Sequence, residues 1–184
     1  MTQLAGATTS LAVALSVLCG CATPSQPRPT TVVIPPGAQI AYVKYHYAPA
    51  IRVGDTVIVS GIPAARGGTY EEKIRNMFQR AQSTLESAGT NLDDVVEVTT
   101  FHQNAPDTAA FNAEFARFLE IQKEFFTNHY PAWTAVGVTS LLAPGAPVEM
   151  RLVAVVGSGK RVVLSPCQPD TDSEACKAVT RLTP

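Results

Sequence analysis

The clearest pattern of apolar and polar positions lies in residues 69–89, TYEEKIRNMFQRAQSTLESAG. Its apolar side chains recur at the three-to-four-residue spacing of one face of an α-helix. These positions are Ile74, Phe78, Ala81, Leu85 and Ala88. Thr69 followed by Glu72 is a capping-box pattern, and Gly89 suits the position just after a helix end. The pattern predicts a helix with one buried face.

A second amphipathic helix is predicted over residues 107–126. The side chains available for its inner face are Phe111, Phe115, Phe118, Leu119 and Phe125. Strands are predicted where β-branched residues cluster between turn signals. They occupy the loosely alternating 42–47, then 56–60 and 95–102, and two further strands, joined by a Pro/Gly loop, within 128–156.

This β-β-α-β-α-β-β order has too few helices to cover both faces of a sheet. It therefore predicts an α+β sandwich with one sheet and two helices packed on one side. The other face needs a cover, and self-association is the simplest candidate. The chain of 184 residues has a formal net charge of −1 and no Lys/Arg run, which gives no reason to expect a nucleic-acid partner.

The N-terminal segment carries an export pattern. Residues 11–18, LAVALSVL, have the length of a signal-peptide apolar region and are too short to span a bilayer. The following LCGC matches a bacterial lipobox ending at Cys21, although residues 1–10 contain no Lys or Arg. We predict a lipoprotein-type signal peptide over 1–20, a lipid-anchored periplasmic protein and a Pro/Ser/Thr-rich tether over 21–39. A plain secretory signal and a misassigned start codon are the alternatives.

Two cysteines, Cys167 and Cys176, lie in the polar extension 158–184. In an oxidising compartment they could close a small disulfide loop. A metal pair is the weaker alternative, because no histidine or third thiol lies near them and their spacing is not C-x-x-C. We predict a disulfide and no metal site.

Four segments of the folded body 40–157 together resemble the Rid (YjgF-like) family of enamine/imine deaminases. They are YAPAIRVGDTVIVSG, LESAGTNLDDVVEVTTF, YPAWTAVGV and VEMRLVAVV, in that order. The resemblance implies a chorismate-mutase-like α+β fold and a homotrimer with a small-molecule cleft at each subunit interface. It also implies hydrolysis of 2-imino acids to 2-keto acids and ammonia without a metal or cofactor.

The resemblance assigns site residues only in part. Tyr47 occupies the family's cleft tyrosine position, Ser60 the serine of its S-G turn, and Glu149 the strand glutamate that positions water. The carboxylate-binding arginine of the family's P-A-R motif is replaced by Trp133, and Ala135 stands where many relatives carry a cysteine. This version looks like a divergent branch of the family.

The loss of that arginine predicts negligible activity on small 2-imino acids. A bidentate, charge-assisted carboxylate contact is worth roughly 1.5–3 kcal/mol, and an indole offers only one N–H donor. Trp133 is instead assigned either to the pocket wall or to the core. Ser60 has no recognisable His/Asp partner, so a hydrolase triad is not expected.

Glu149 and Arg151 are two residues apart on a strand and should face the same side of the sheet. We favour a structural salt bridge between them, and the alternative makes Arg151 a relocated anion-binding group. Arg52 is a second possible cation, more consistent with a surface position near a turn. His102 is either a structural, hydrogen-bonded histidine, which we favour, or an acid/base group in the cleft wall.

Two functions remain open from the sequence. The first is a Rid-type hydrolase acting on an imine, enamine or similar small electrophile not anchored by a carboxylate, with Tyr47, Ser60 and Glu149 as catalytic residues. The second is a non-catalytic trimeric lipoprotein that binds a small metabolite in an aromatic-walled cleft, with Trp133, Arg151 and His102 as ligand-binding candidates. Neither needs a cofactor, and contact with the membrane is only through the lipid anchor.

Overall fold

Alternating apolar and polar residues form six strands in one sheet. The structure is a computed structural model that describes residues 28–103 and 105–163, together with residue 178. The strands are β1 (Thr30–Val33), β2 (Ala50–Val53), β3 (Thr56–Pro63), β4 (Val95–Gln103), β5 (Ala132–Val138) and β6 (Val148–Val155). The α-helices are α1 (Gln39–Val43), α2 (Tyr70–Ser87) and α3 (Thr108–Gln122), and short 3-10 turns cover Leu92–Asp94 and Ser158–Arg161.

The sheet is mixed, with strand order β1-β2-β3-β6-β4-β5. Only β4 and β5 pair in parallel, and all other neighbours are antiparallel. The last two strands along the chain are therefore not adjacent, because β4 lies between β6 and β5. The architecture confirms the predicted α+β class with one sheet and its two long helices on one side.

The helix side of the sheet holds the core. On β6 the residues alternate strictly, with positions 148, 150, 152 and 154 buried and the positions between them partly exposed. The predicted stripe of α2 is buried throughout, from Ile74 to Ala88. Phe78 lies at its centre, with its ring stacked on Phe125 at 4.7 Å and tilted against Phe118 at 5.6 Å between centroids. The capping box at Thr69 is present, and Gly89 adopts the positive φ of +79° expected after a helix end.

Several element bounds differ from the sequence prediction. Residues 42–47 are not a strand: α1 takes up 39–43, and the strand next to β3 is 50–53. The second long helix ends at Gln122 rather than 126, and Phe125 and Phe126 pack on the core from the turn that follows. β1 lies inside 21–39, the segment expected to be a tether, and pairs with β2.

The predicted export signal, the predicted acylation of Cys21 and the predicted Cys167–Cys176 disulfide lie outside the described residues. Within residues 28–103 and 105–163, no helix is both long and apolar enough to cross a bilayer.

Candidate functional site

The S-G turn of the sequence is a bulge in β3. Val59 faces Leu152 and Ile62 faces Met150, so Ser60 and Gly61 together occupy the space between two pairing positions. Such a bulge bends the strand and redirects its side chains. The Ser60 hydroxyl donates a 2.7 Å hydrogen bond to the Ala48 carbonyl, which leaves its oxygen lone pairs free to accept.

A cavity of about 240 Å³ opens beside this bulge. Ser60, Gly61 and Tyr47 line it together with the residues around the start of α1 and one side of α2. The structure thus brings Tyr47 and Ser60, both predicted from the resemblance, to one concave surface. Tyr47 is exposed by 45%, so its phenol is accessible to a ligand.

Glu149 reaches the same bulge from the neighbouring strand β6. A Cβ added at Gly61 would lie 2.1 Å from the Glu149 Oε1, so only glycine allows this close approach. Burial raises the pKa of the Glu149 carboxyl above its usual value. Glu149 is therefore joined to the cavity through the Gly61 backbone rather than by lining it directly.

The two other candidate cations lie elsewhere. Arg151 shares the open face with Glu149, as predicted, but the predicted Glu149–Arg151 pair is wrong: Arg151 Nη1 contacts Glu97 Oε1 at 3.0 Å. Glu97 is the diagonal neighbour of Arg151 on β4, at a separation that long side chains can bridge. Arg52 is half-buried, and its guanidinium donates to the carbonyls of Gly54 and Ala88, which ties β2 to the end of α2.

Trp133 lies on the helix side of β5, away from the Ser60–Gly61 bulge. Its ring packs against Phe115 and Phe118 at centroid distances of 4.8 and 5.6 Å, and its Nε1 donates to Thr100 Oγ1 at 3.0 Å. The strand order puts β6 and β4 between β3 and β5. At a strand spacing of about 4.8 Å, Trp133 and Ser60 of one chain are roughly 14 Å apart across the sheet.

One edge of the indole remains accessible. It forms part of a second cavity of about 270 Å³. The walls of this cavity are largely apolar: Leu119, Gln122, Lys123, Phe126, Tyr130, Pro131 and Trp133. Trp133 consequently takes both roles considered from the sequence, as a partner of the core and as part of a pocket wall.

His102 is 1% exposed and belongs to a hydrogen-bonded chain under α3. Its Nδ1 lies 2.6 Å from Glu114 Oε2, and its Nε2 lies 2.9 Å from Thr100 Oγ1. Tyr70 donates its hydroxyl to the other Glu114 oxygen. Burial lowers the pKa of His102 to about 4 and raises the pKa of Glu114 to about 7. This geometry agrees with the structural alternative for His102, because every polar atom of the imidazole is satisfied inside the protein.

Two cavity residues were missed by the sequence reading. Arg66, from the loop before α2, and Arg80, from α2 itself, both line the cavity beside Tyr47 and Ser60. Arg80 lies off the apolar stripe of an amphipathic helix, where a charged side chain is ordinarily expected to be solvated. Nothing in its spacing indicated that it would point toward the β3 bulge.

The family model described as "Endoribonuclease L-PSP" matches residues 39–156, more than half of the chain. Among solved structures, the YjgF family member Rv2704 from Mycobacterium tuberculosis superposes with a TM-score of 0.59 at 26% identity, covering 70% of this chain and 100% of that one. The chain belongs to this family, the YjgF or Rid family.

Rid relatives with curated names include the RutC family protein YjgH of Escherichia coli K12. It is 35% identical over 130 residues, covering 67% of this chain and 93% of its own length. The 2-iminobutanoate/2-iminopropanoate deaminase of Dermatophagoides farinae is 31% identical over 117 residues, covering 60% of this chain and 85% of its own. The folded body resembles both, and the segments before residue 39 and after residue 156 lie beyond the family match.

The double role of Trp133 leads to a stability prediction. Trp133→Ala removes the ring from Phe115 and Phe118 and should lower the free energy of unfolding by roughly 2–4 kcal/mol, since the side chain is only partly buried. Trp133→Phe keeps the ring contacts, loses the hydrogen bond to Thr100 and should cost about 1 kcal/mol. Urea unfolding of both variants measures the difference. Equal losses would contradict the packing assigned to the indole.

Proposed function

We propose that this chain is a Rid-type hydrolase that cleaves the C=N bond of a small imine or enamine-derived metabolite. The observation that carries the proposal is the Ser60–Gly61 bulge, which lines the same cavity as Tyr47 and has the Glu149 carboxylate lying close against Gly61. The naming of one relative as a 2-iminobutanoate/2-iminopropanoate deaminase supports the reaction class.

Hydrolysis of an imine requires mainly that the protein position the substrate and one water molecule. An imine carbon is already electrophilic, so the protein has to hold it beside one oriented water and remove a proton from that water. Glu149 is the proposed base, because burial raises its pKa toward the range in which a carboxylate accepts a proton effectively. Tyr47 and Ser60 are proposed to orient the substrate by hydrogen bonds. Attack of water, collapse of the carbinolamine and release of ammonia complete the hydrolysis.

A homotrimer is part of the proposal. The sheet face that carries Glu149, Arg151 and Val153 is not covered by any helix within the described residues, and its alternate positions remain partly exposed. Packing such faces against each other would bury their apolar side chains. The resemblance implies a cleft at each subunit interface of such a trimer, and Trp133 occupies the position of the family's carboxylate-binding arginine.

Replacement of the P-A-R arginine by Trp133 supports a substrate different from the relatives' small 2-imino acids. The indole nitrogen donates to Thr100, so it has no free donor for a carboxylate. We further propose that the chain represents a divergent branch of the family and acts outside the cytoplasm as a periplasmic lipoprotein anchored through Cys21. The apolar run at 11–18 and the LCGC motif support that location.

The test is hydrolysis of imines generated in situ by an amine oxidase or an amino-acid oxidase, with ammonia release as the readout. We expect acceleration of at least one imine in such a panel, and a kcat/KM on 2-iminobutanoate and 2-iminopropanoate at least about 100-fold below that of a deaminase relative assayed in parallel. Rates on those two substrates equal to the relative's would contradict the significance given to Trp133. No acceleration of any imine would contradict the hydrolase.

The second candidate is a binding protein without turnover. The apolar cavity of about 270 Å³ beside Trp133 favours it, because such a pocket holds a small apolar or aromatic group without offering a base. Quenching of the Trp133 fluorescence, which comes from the only tryptophan of the chain, reports occupancy of that cavity. A ligand that quenches Trp133 but is recovered chemically unchanged would favour binding over hydrolysis.

A further inference from the structure

Two guanidinium groups line the cavity beside the Ser60–Gly61 bulge. Arg80 projects from α2 and is half-buried, and Arg66 projects from the loop that leads to α2 and is exposed. One hydrogen bond holds the Arg80 guanidinium, and another holds the main chain of Arg66. Arg80 Nη1 donates to the Pro63 carbonyl at 3.1 Å, and the Arg66 carbonyl accepts a 3.0 Å hydrogen bond from the Asn76 side chain.

Neither arginine is neutralised by a carboxylate within residues 28–103 and 105–163. The ion pairs of that region belong to other cations, including Arg75 with Glu124 and Arg151 with Glu97. The bond to Pro63 uses one of the five N–H donors of the Arg80 guanidinium, and no other partner for that group occurs among the described residues. Two positive charges thus share one small concave surface without a counter-charge.

The electrostatics agree with this geometry. Burial lowers the pKa of Arg80 below its ordinary value, and the charge of Arg66 lowers it further, while the Tyr47 phenol opposes both effects. Close placement of like charges is unfavourable in the free protein, and it is relieved when an anion binds between them. A cavity in which two arginine side chains repel each other is suited to a ligand that carries two negative charges.

We propose that the cavity binds a small dianion, with one acid group gripped by Arg80 and the second met by Arg66. The inference rests on the proposed function in that the dianion is the substrate class of the same site: an imine carrying two acid groups. Arg80 then supplies, from a helix, the carboxylate contact that the family takes from the strand position occupied here by Trp133. The cavity volume of about 240 Å³ restricts the ligand to a small metabolite.

Direct binding tests the proposal without any turnover. Isothermal titration of the full-length chain with malonate and with inorganic phosphate provides a dicarboxylate and a phosphate probe, and acetate provides the monoanion. We expect malonate to bind at least about ten times more tightly than acetate, because the second charge has its own partner. Tighter binding of phosphate than of malonate would assign the site to phosphate esters rather than dicarboxylates and would overturn the dicarboxylic imine as substrate.

Variants identify the residues. Arg80→Gln is expected to weaken malonate binding by about 30-fold or more, and Arg66→Gln by about 5-fold, since Arg80 is the more desolvated of the two. Arg75→Gln, on the same helix but paired with Glu124, is the matched control and should change the affinity less than about 2-fold. Arg66 is exposed, so its replacement should leave the stability nearly unchanged, and urea unfolding of the variant checks this.

The outcomes separate this inference from the hydrolase itself. If malonate binding depends on Arg80 but the chain hydrolyses no imine, only the proposed hydrolase activity is contradicted. If the chain hydrolyses a dicarboxylic imine and its kcat/KM is unchanged in Arg80→Gln, only the proposed dianion site is contradicted. The inference is also overturned by equal affinities for acetate and malonate, or by malonate binding that survives in the Arg66→Gln, Arg80→Gln double variant.

Discussion

Glu149→Gln is expected to lower kcat for imine hydrolysis by about 10²–10⁴-fold, the usual contribution of a positioned acid–base group. Glutamine has the shape of glutamate and can occupy the same space against Gly61, but it cannot accept a proton from water. The variant should therefore bind ligand as the parent chain does and fail in the chemical step. Steady-state ammonia release over a range of substrate concentrations separates kcat from KM.

Two companion variants sharpen that result. Glu97→Gln removes a carboxylate from the same sheet face, where it pairs with Arg151, and should leave turnover within about 2-fold. Gly61→Ala adds a methyl group where the Glu149 carboxylate lies and should displace that flexible side chain without unfolding the protein. We expect its kcat to fall in the same direction as that of Glu149→Gln.

The pH profile gives an independent check. Because burial raises the pKa of Glu149 and the ionised form is the base, activity should fall as the pH drops through that raised value, at a higher pH than for a solvated glutamate. The acid limb should disappear in Glu149→Gln. A kcat for Glu149→Gln equal to that of the parent chain would remove Glu149 from the mechanism, while the hydrolysis itself would stand and require another base.

Local sequence signals were sufficient for the parts of the fold that depend on one element. The α2 helix is defined by its apolar stripe, the Thr69–Glu72 capping box and Gly89, and all of these occur as predicted. The prediction of a strand over 42–47 was wrong because a loose alternation of aromatic and polar residues does not distinguish a strand from the end of a short helix and the turn that follows it. The order of the strands in the sheet could not be predicted from local signals either, because β4 lies between β5 and β6, which are consecutive along the chain.

The candidate site divides in the same way. Tyr47, Ser60 and Glu149 were predicted from the family resemblance, which rests on short local motifs. The structure places Tyr47 and Ser60 on one cavity and Glu149 against Gly61 of the same bulge. The partner of Arg151 was wrong because cross-strand register selects Glu97, which strand spacing along β6 does not reveal. Arg80 was missed for a related reason: its role depends on how α2 packs against β3, whereas its helical position alone indicates only a solvated charge.

Glu114→Gln is expected to make the stability of the protein fall with acidification, by up to about 3 kcal/mol between pH 7 and pH 4 relative to the parent chain. In the parent, the folded pair of His102 and Glu114 holds one proton between pH 4.5 and 6.5, because burial lowers the pKa of His102 to about 4 and raises that of Glu114 to about 7. The unfolded chain also holds one proton there, on the histidine. Equal proton counts mean that the pair adds no pH dependence in this window.

Removing either partner breaks that balance in opposite directions. Without Glu114, the unfolded chain protonates His102 below about pH 6.5 while the folded chain resists until about 4, so stability is full above 6.5 and lost as the pH falls. Without His102, as in His102→Gln, the folded chain keeps a proton on Glu114 up to about pH 7, so stability is highest at low pH and lost as the pH rises from 4.5. Urea unfolding of the three proteins across this range measures both slopes. Parallel pH profiles for the parent and both variants would show that the 2.6 Å contact between His102 and Glu114 does not exchange a proton on folding, and would place the raised and lowered pKa values in doubt together.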